Sequence, residues 1–152
     1  MKIVSISSTL LNLFKVDPEM LNKTGRPCVL IVKLKYHGKN QDFAVPLRSN
    51  ISSGTPEKLF FPLPPRRTTR PCNHHGLHYI KIFPVSKNYL VRYRIEGNPF
   101  SCLIQSIIDN NSKQIIQECQ NYITDYEHGI RCPFSTNIDL LLSVLNNISD
   151  GT

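Results

Sequence analysis

Three segments of the chain concentrate side chains that can handle a phosphodiester. The first holds Lys23 and Arg26. The second is Arg48-Ser49-Asn50 with Ser52, and the third is Arg66-Arg67-Thr68-Thr69 followed by His74, His75 and His78. Arg and Lys offset phosphate charge, Ser and Thr donate to phosphate oxygens, and His exchanges a proton near neutral pH. That mixture suits RNA cleavage without a metal. The 2′-hydroxyl attacks the adjacent phosphorus, so the nucleophile belongs to the substrate. The protein supplies a base, an acid for the leaving oxygen and donors for the phosphate. A magnesium-dependent nuclease would instead gather carboxylates beside the phosphate, and here the acids lie mainly in the last third of the chain. No P-loop, dinucleotide fingerprint, Gly-x-Ser-x-Gly elbow or paired-carboxylate motif occurs.

Charge points the same way. Residues 23–94 carry 14 Lys and Arg against two acids, Asp42 and Glu57, a net of +12, whereas residues 95–152 net −5 and residues 1–22 balance. A one-sided basic surface is the footprint of a polyanion partner. A basic amphipathic helix would suit a membrane surface, but the basic region reads as strands and loops, so RNA or DNA is the expected partner. Lys39, Lys81 and Arg92 join the cations expected to touch RNA. A competing signal is Cys72-x-His74-His75-x-x-His78, rich in metal ligands. It completes no standard zinc spacing, and a metal-binding regulator using Cys72, His74 and His78 stays open as an alternative, as does a non-catalytic RNA-binding module. His37 in a turn and His128 at a helix end are expected to be structural. Tyr36, Tyr79, Tyr89 and Tyr93 are expected to pack, although aromatics on a sheet can also stack on bases.

The elements that must position these residues follow from periodicity. The 152 residues suffice for one domain with a real core. Five scattered cysteines, an odd number, argue for reduced thiols. No run approaches the roughly 18 apolar residues of a membrane helix, and the N-terminal stretch lacks a signal-peptide core, so a cytoplasmic protein is expected. Residues 2–6 read as a strand. Ser7 or Ser8 caps a short helix through Phe14, and Asp17-Pro18-Glu19 starts another. Residues 28–35 are the strongest strand and pair with 42–47 as a hairpin. The stretch Phe43-Ala-Val-Pro-Leu-Arg-Ser-Asn50 reads as a strand running into a polar cluster, with Pro46 marking an edge or the strand's end. A long irregular region spans 49–77. Strands resume at 77–83 and 89–95. From Pro99 the period becomes helical, as one helix to Tyr126 or two broken near Asn110-Asn111. Thr136 with Asp139 resembles a capping box for a last helix over 138–146. The fold class is therefore α+β.

The order of elements and three motifs carry a family resemblance. Arg26-Pro-Cys-Val-Leu-Ile-Val, Phe43-Ala-Val-Pro-Leu-Arg-Ser49 and Phe134-Ser-x-x-Ile-Asp139 resemble the endoribonuclease toxins of type III toxin–antitoxin systems, the ToxN/AbiQ family. The run His75-Gly-Leu-His-Tyr-Ile-Lys-Ile-Phe-Pro84 resembles its CptN/TenpN-like branch, and the likeness covers roughly residues 2–147. It implies a strongly twisted antiparallel sheet with a MazF/Kid-like core, short N-terminal helices and a helical C-terminal part, in one domain over the whole chain. It implies metal-independent cleavage leaving a 2′,3′-cyclic phosphate, with no cofactor. The implied inhibitor is a small repeated RNA whose units are pseudoknots. Toxin and RNA units form a closed assembly, the toxin processes the RNA precursor, and cellular or phage RNA is the substrate. Ser49 falls on the family's serine after Pro-Leu-x and is expected to contact the scissile phosphate or the attacking 2′-hydroxyl. Arg26 falls where the family uses a phosphate-stabilising Lys or Arg. Members often carry Pro-Lys soon after the serine. Here Asn50-Ile51 stands instead, and Lys23, Lys39, Arg66 or a loop histidine such as His75 is the expected substitute.

Overall fold

The computed structural model of the protein describes residues 1–20 and 28–150. Among these residues, seven strands form an antiparallel sheet and four α-helices cover it. The strands are β1 (Ile3–Ile6), β2 (Cys28–Tyr36), β3 (Lys39–Ile51), β4 (Phe60–Leu63), β5 (His74–His78), β6 (Phe83–Pro84) and β7 (Leu90–Arg92). The helices are α1 (Ser8–Leu13), α2 (Pro99–Asn110), α3 (Ser112–Glu127) and α4 (Ile138–Asp150). Across the sheet the order is β4-β5-β3-β2-β1-β7, and β6 pairs with β3.

The sheet is buried on both faces. Leu30, Val32 and Leu34 of β2 join Phe43 and Val45 of β3 against Ile104 and Ile108 of α2 and Ile115, Cys119 and Ile123 of α3. Val29 and Ala44 point the other way, toward Leu10 and Phe14 near α1 and Leu141 and Leu145 of α4. A strand covered on two sides reads as a continuous apolar run rather than an alternation, which accounts for residues 28–32. Alternation returns only where Lys33 and Lys35 reach solvent. The β2–β3 hairpin closes through His37 and Gly38, both with positive φ (50° and 76°), the geometry of a two-residue primed turn. The expected longer turn over 36–41 is therefore shorter than its polar composition suggests.

Strand β3 departs most from expectation. It does not end at the polar cluster but runs thirteen residues through Arg48, Ser49 and Asn50 to Ile51. Pro46 marks neither an edge nor an end. On one side it pairs with Val29 of β2. On the other, the partner changes from β6, at Phe43 and Ala44, to β5, at Leu47. Pro46 falls in that gap, where no ladder donor is required.

Other expectations change for similar reasons. The irregular region 49–77 contains β4 and the start of β5, and the strand expected over 77–83 is broken by a 3-10 turn at Tyr79–Lys81. The strand expected at 89–95 is reduced to β7 after a 3-10 turn at Lys87–Tyr89. The helical region from Pro99 divides into α2 and α3 at Asn111, whose side-chain amide bonds the Ile107 carbonyl at 2.7 Å. Asp17 starts a turn, not a helix. Its carboxylate accepts from Glu19 N at 2.9 Å and from Asn137 N at 2.7 Å, and it is 3% exposed. The N-terminus of α4 draws this buried anion. Thr136 forms no capping box, because its hydroxyl donates to the Ile82 carbonyl. Asn137 caps α4 instead, accepting from Leu140 N at 3.1 Å, and Asp139 receives the Tyr36 hydroxyl.

Tyr36 and Tyr79 are core residues, and Tyr79 donates to Glu118 at 2.9 Å. Burial raises both phenols above their ordinary pKa, and the carboxylates they meet push the same way. All five cysteines are free thiols. Among the described residues no helix is long and apolar enough to cross a membrane.

Candidate functional site

The irregular end of β3 gathers the second and third polar segments. Arg48 pairs with Gly76 and Ile51 with His74, so the two residues Ser49 and Asn50 stand opposite the single residue His75. This is a β-bulge, a device that re-aims side chains and concentrates near active sites. Ser49 is half-buried, and its hydroxyl has no hydrogen-bond partner among the described residues. Gly76 permits the close approach of β4. A Cβ there would lie 2.2 Å from the Phe61 carbonyl oxygen.

Asn50 holds the arginine loop onto the bulge. Its amide nitrogen donates to the Thr68 carbonyl at 2.9 Å. Its oxygen accepts from Arg70 N at 2.8 Å and from the Asn73 amide at 3.3 Å. Thr69 folds the loop back, accepting from Arg66 N at 3.0 Å while its own N–H reaches the Arg66 carbonyl at 3.0 Å. The Asn50 amide expected to meet RNA is thus occupied in shaping the segment that carries Arg66, Arg67 and Arg70.

His75 is buried, and both its nitrogens are engaged. Nδ1 lies 2.7 Å from the Pro64 carbonyl, and Nε2 lies 3.2 Å from Nε of Arg66. A carbonyl only accepts and a guanidinium only donates. The ring is therefore the neutral Nδ1–H tautomer, with Nε2 accepting from Arg66. Burial holds the imidazole below its ordinary pKa, and Arg66 adds to this against the Pro64 carbonyl. The Arg66 guanidinium lies 5.1 Å from the Phe100 ring centre.

Arg48 is half-buried, and desolvation lowers its pKa. His78 is 8% exposed, and neither ring nitrogen has a hydrogen-bond partner among the described residues. Burial lowers its pKa to about 4, and Arg48 and Lys81 contribute. The Lys81 ammonium meets the Glu19 carboxylate at 3.0 Å and the carbonyls of Glu19 and Phe134 at 3.1 and 2.8 Å. It ties three segments together rather than projecting to solvent. His74 stacks on Phe60, with ring centres 4.8 Å apart. Ser52, Arg67 and Thr68 are exposed beside the bulge.

Two expected contacts lie apart. Lys39 is at the far end of β3, ten residues from Ser49 and roughly 33 Å along an extended strand. Arg92 is on the sheet's opposite margin, 3.7 Å from Glu96. Lys23 and Arg26 lie outside the described residues. The described chain resumes at Cys28, one register step beyond the Val29–Pro46 pair and so beside the level of Leu47. Arg48, Arg66, Arg67 and Arg70 have no carboxylate partner among the described residues. No group of three or more His, Cys, Asp or Glu among the described residues could hold a metal, so Cys72, His74 and His78 do not form one. Phe100 and Pro64 are parts of the site that the motifs did not reveal. They come from a helix start and a proline run, neither with a chemical signature of its own.

No protein-family model and no curated protein matches the sequence. Solved structures do match. One is AbiQ, a lactococcal anti-phage endoribonuclease of a type III toxin–antitoxin system, with a TM-score of 0.70 and 15% identity, covering 98% of each chain. A second belongs to a bacterial type III toxin–antitoxin system with selective toxin inhibition by a non-coding RNA pseudoknot, at TM-score 0.73 and 14% identity, covering 97% of each chain. A third comes from a bacterial antiviral system regulated by a processed non-coding RNA, at TM-score 0.69 and 17% identity, covering 94% of this chain and 96% of the other. The chain has the fold of these three proteins.

Proposed function

We propose that the protein is a metal-independent endoribonuclease toxin of a type III toxin–antitoxin system, held inactive by a small repeated RNA. The observation that carries this reading is the β3 bulge. It presents the Ser49 hydroxyl beside Arg48 and the Asn50-anchored arginine loop, and no described carboxylate neutralises those cations. The shared fold with AbiQ and with a toxin inhibited by an RNA pseudoknot adds to it. In this reading the whole chain is one domain around a twisted, MazF/Kid-like sheet.

The chemistry needs no protein nucleophile. The substrate's 2′-hydroxyl loses its proton to a base and attacks phosphorus. The 5′-oxygen leaves with a proton from an acid, and a 2′,3′-cyclic phosphate remains. Arg26 offsets the charge that develops on the phosphate, and Ser49 donates to a phosphate oxygen or orients the 2′-hydroxyl. Lys23 takes the place of the lysine expected after Ser49. His75, with both nitrogens occupied, serves through Arg66. The partners are an antitoxin RNA of pseudoknot repeats, in a closed assembly with the toxin, and cellular or phage RNA as substrate.

Purified protein should cleave RNA to 2′,3′-cyclic ends in the presence of EDTA. Ser49→Ala and Arg26→Ala should each reduce cleavage at least 100-fold, about 3 kcal/mol of transition-state stabilisation, and abolish growth arrest while RNA binding persists. Unchanged growth arrest in both variants would remove this site from the reading. The occupied nitrogens of His75 favour a second reading, a non-catalytic RNA-binding module. It predicts RNA binding by the wild-type protein with no cyclic ends formed.

A further inference from the structure

Arg66 is held more firmly than a surface cation requires. Its Nε–H donates to His75 Nε2, its guanidinium lies against the Phe100 face, and its backbone N–H is tied to Thr69. His75 is fixed in turn. Nδ1–H reaches the Pro64 carbonyl at 2.7 Å, and the ring stacks with Phe100 at 6.1 Å and 29°. His75 and Phe100 come from separate stretches of chain and converge on one guanidinium, and Pro64, two residues before Arg66, fixes the histidine. Neither Nη nitrogen of Arg66 has a hydrogen-bond partner among the described residues, so both remain able to donate.

We propose that His75 is a positioning residue: it orients Arg66 so that the two Nη groups take one backbone phosphate of an RNA strand. This deepens the RNA-cleaving reading above and rests on it. The chemistry favours phosphate. An end-on guanidinium matches two phosphate oxygens, Arg67 and Arg70 in the same loop add positive potential, and no described carboxylate competes. An arginine side chain that is ordered beforehand loses less freedom on binding. Histidine suits the supporting role because its neutral ring donates on one side and accepts on the other. Lysine or arginine at position 75 could not accept from Arg66, and phenylalanine could do neither.

The test uses the full-length protein and a fluorescent 2′-O-methyl oligoribonucleotide of mixed sequence, which cannot be cleaved, with affinity measured from 50 to 300 mM KCl. A single-strand phosphate contact contributes about 0.7 to the slope of log K against log salt. Arg66→Gln and His75→Phe should each lower the slope by that amount and weaken binding about ten-fold at the lowest salt, and the double variant should be no worse than either. His75→Gln, which can still donate to Pro64 and accept from Arg66, should restore the wild-type slope. Lys113→Ala, on the exposed side of α3, should leave it unchanged. Nitrogen-15 spectra of the wild-type ring should show Nδ1 protonated and Nε2 bare, with the Nε2 signal moving in Arg66→Gln. That readout stands even if His75→Phe fails to fold. A wild-type slope in folded His75→Phe, additive losses in the double variant or a proton on Nε2 would overturn the positioning role. Lost affinity at unchanged slope in Arg66→Gln would overturn the phosphate assignment. Salt-insensitive binding by the wild-type protein would instead sink the RNA reading, before any substitution is made.

Discussion

The two halves of β3 are built to opposite specifications. From Lys39 to Pro46, eight consecutive residues register with Tyr36 to Val29 without a slip. Phe43, Ala44 and Val45 in that half are fully buried. From Arg48 to Ile51 the pairing with β5 slips by one residue, and Arg48, Ser49 and Asn50 are half-buried. The first half is a regular ladder, exposed at its hairpin end and buried from Phe43 to Pro46. The second continues the same strand, so it inherits a fixed position while its own pairing is loosened enough to expose a hydroxyl and two cation-bearing segments. The regular half fixes the position of the candidate site, and the irregular half supplies its polar side chains.

That contrast can be broken from either side. The largest effect is expected for Phe43→Ala, which empties a fully buried position in the regular half and should cost about 4 kcal/mol in denaturant unfolding. A loss under about 1 kcal/mol would mean that the ladder is not the scaffold. Gly76→Ala, in the strand facing the bulge, should cost about 3 kcal/mol by forcing β4 away from β5, and Ser49-dependent cleavage should fall with it. A variant of wild-type stability would contradict the close approach at Phe61.

Acid should act through His78 of β5, beside the point where β3 changes partners. His78 has a pKa near 4 in the folded protein and about 6.5 unfolded, so between those values the unfolded chain binds more protons. Stability therefore rises with pH across that window, and acidification to pH 4 removes up to about 3 kcal/mol. His78→Phe should reduce the dependence, leaving the part due to His75, whose pKa is also lowered, and an unchanged acid slope in that variant would assign it elsewhere. Asn50→Ala is the mildest. It should cost about 1 kcal/mol globally, yet raise amide exchange across residues 66–73 and weaken RNA binding several-fold. Unchanged exchange there would show that the loop does not depend on Asn50.

How much of this was legible depended on the range of the cause. Residues 28–35 announce a strand, and the helices after Pro99 announce themselves by their period, because burial writes itself into consecutive residues. Ser7 was readable as a cap because it acts on Leu10 N, three residues away. The end of β3 was not. Arg48-Ser49-Asn50 has the composition of a turn, and it stays extended only because β5, more than twenty residues later, pairs with it. The bulge, the Asn50 hydrogen bonds and the Arg66–His75–Phe100 cluster all join segments distant in sequence, and no local pattern encodes them. Lys39, Lys81 and Arg92 were grouped with the site by charge, and Lys39 also as a stand-in for the lysine expected after Ser49. Position along strands separates Lys39 and Arg92 from it, and Glu19 claims Lys81. Ser49 was singled out by its place after Pro-Leu-Arg, a motif that is readable without knowledge of the pairing.

The change of partners at Pro46 also sets an order of assembly. The β2–β3 hairpin needs only a two-residue turn and can close in microseconds. The β3–β5 pairing must bring together residues separated by the whole 52–73 stretch, and that loop closure has to precede any reward from contacts. The half of β3 that carries Ser49 should therefore be the last to form and the first to open, with β3 amides beyond Pro46 exchanging faster than those before it. A chain emerging from synthesis would hold its core before it held the candidate site, and on the proposed function the interval between the two is when an RNA inhibitor could meet a chain not yet active.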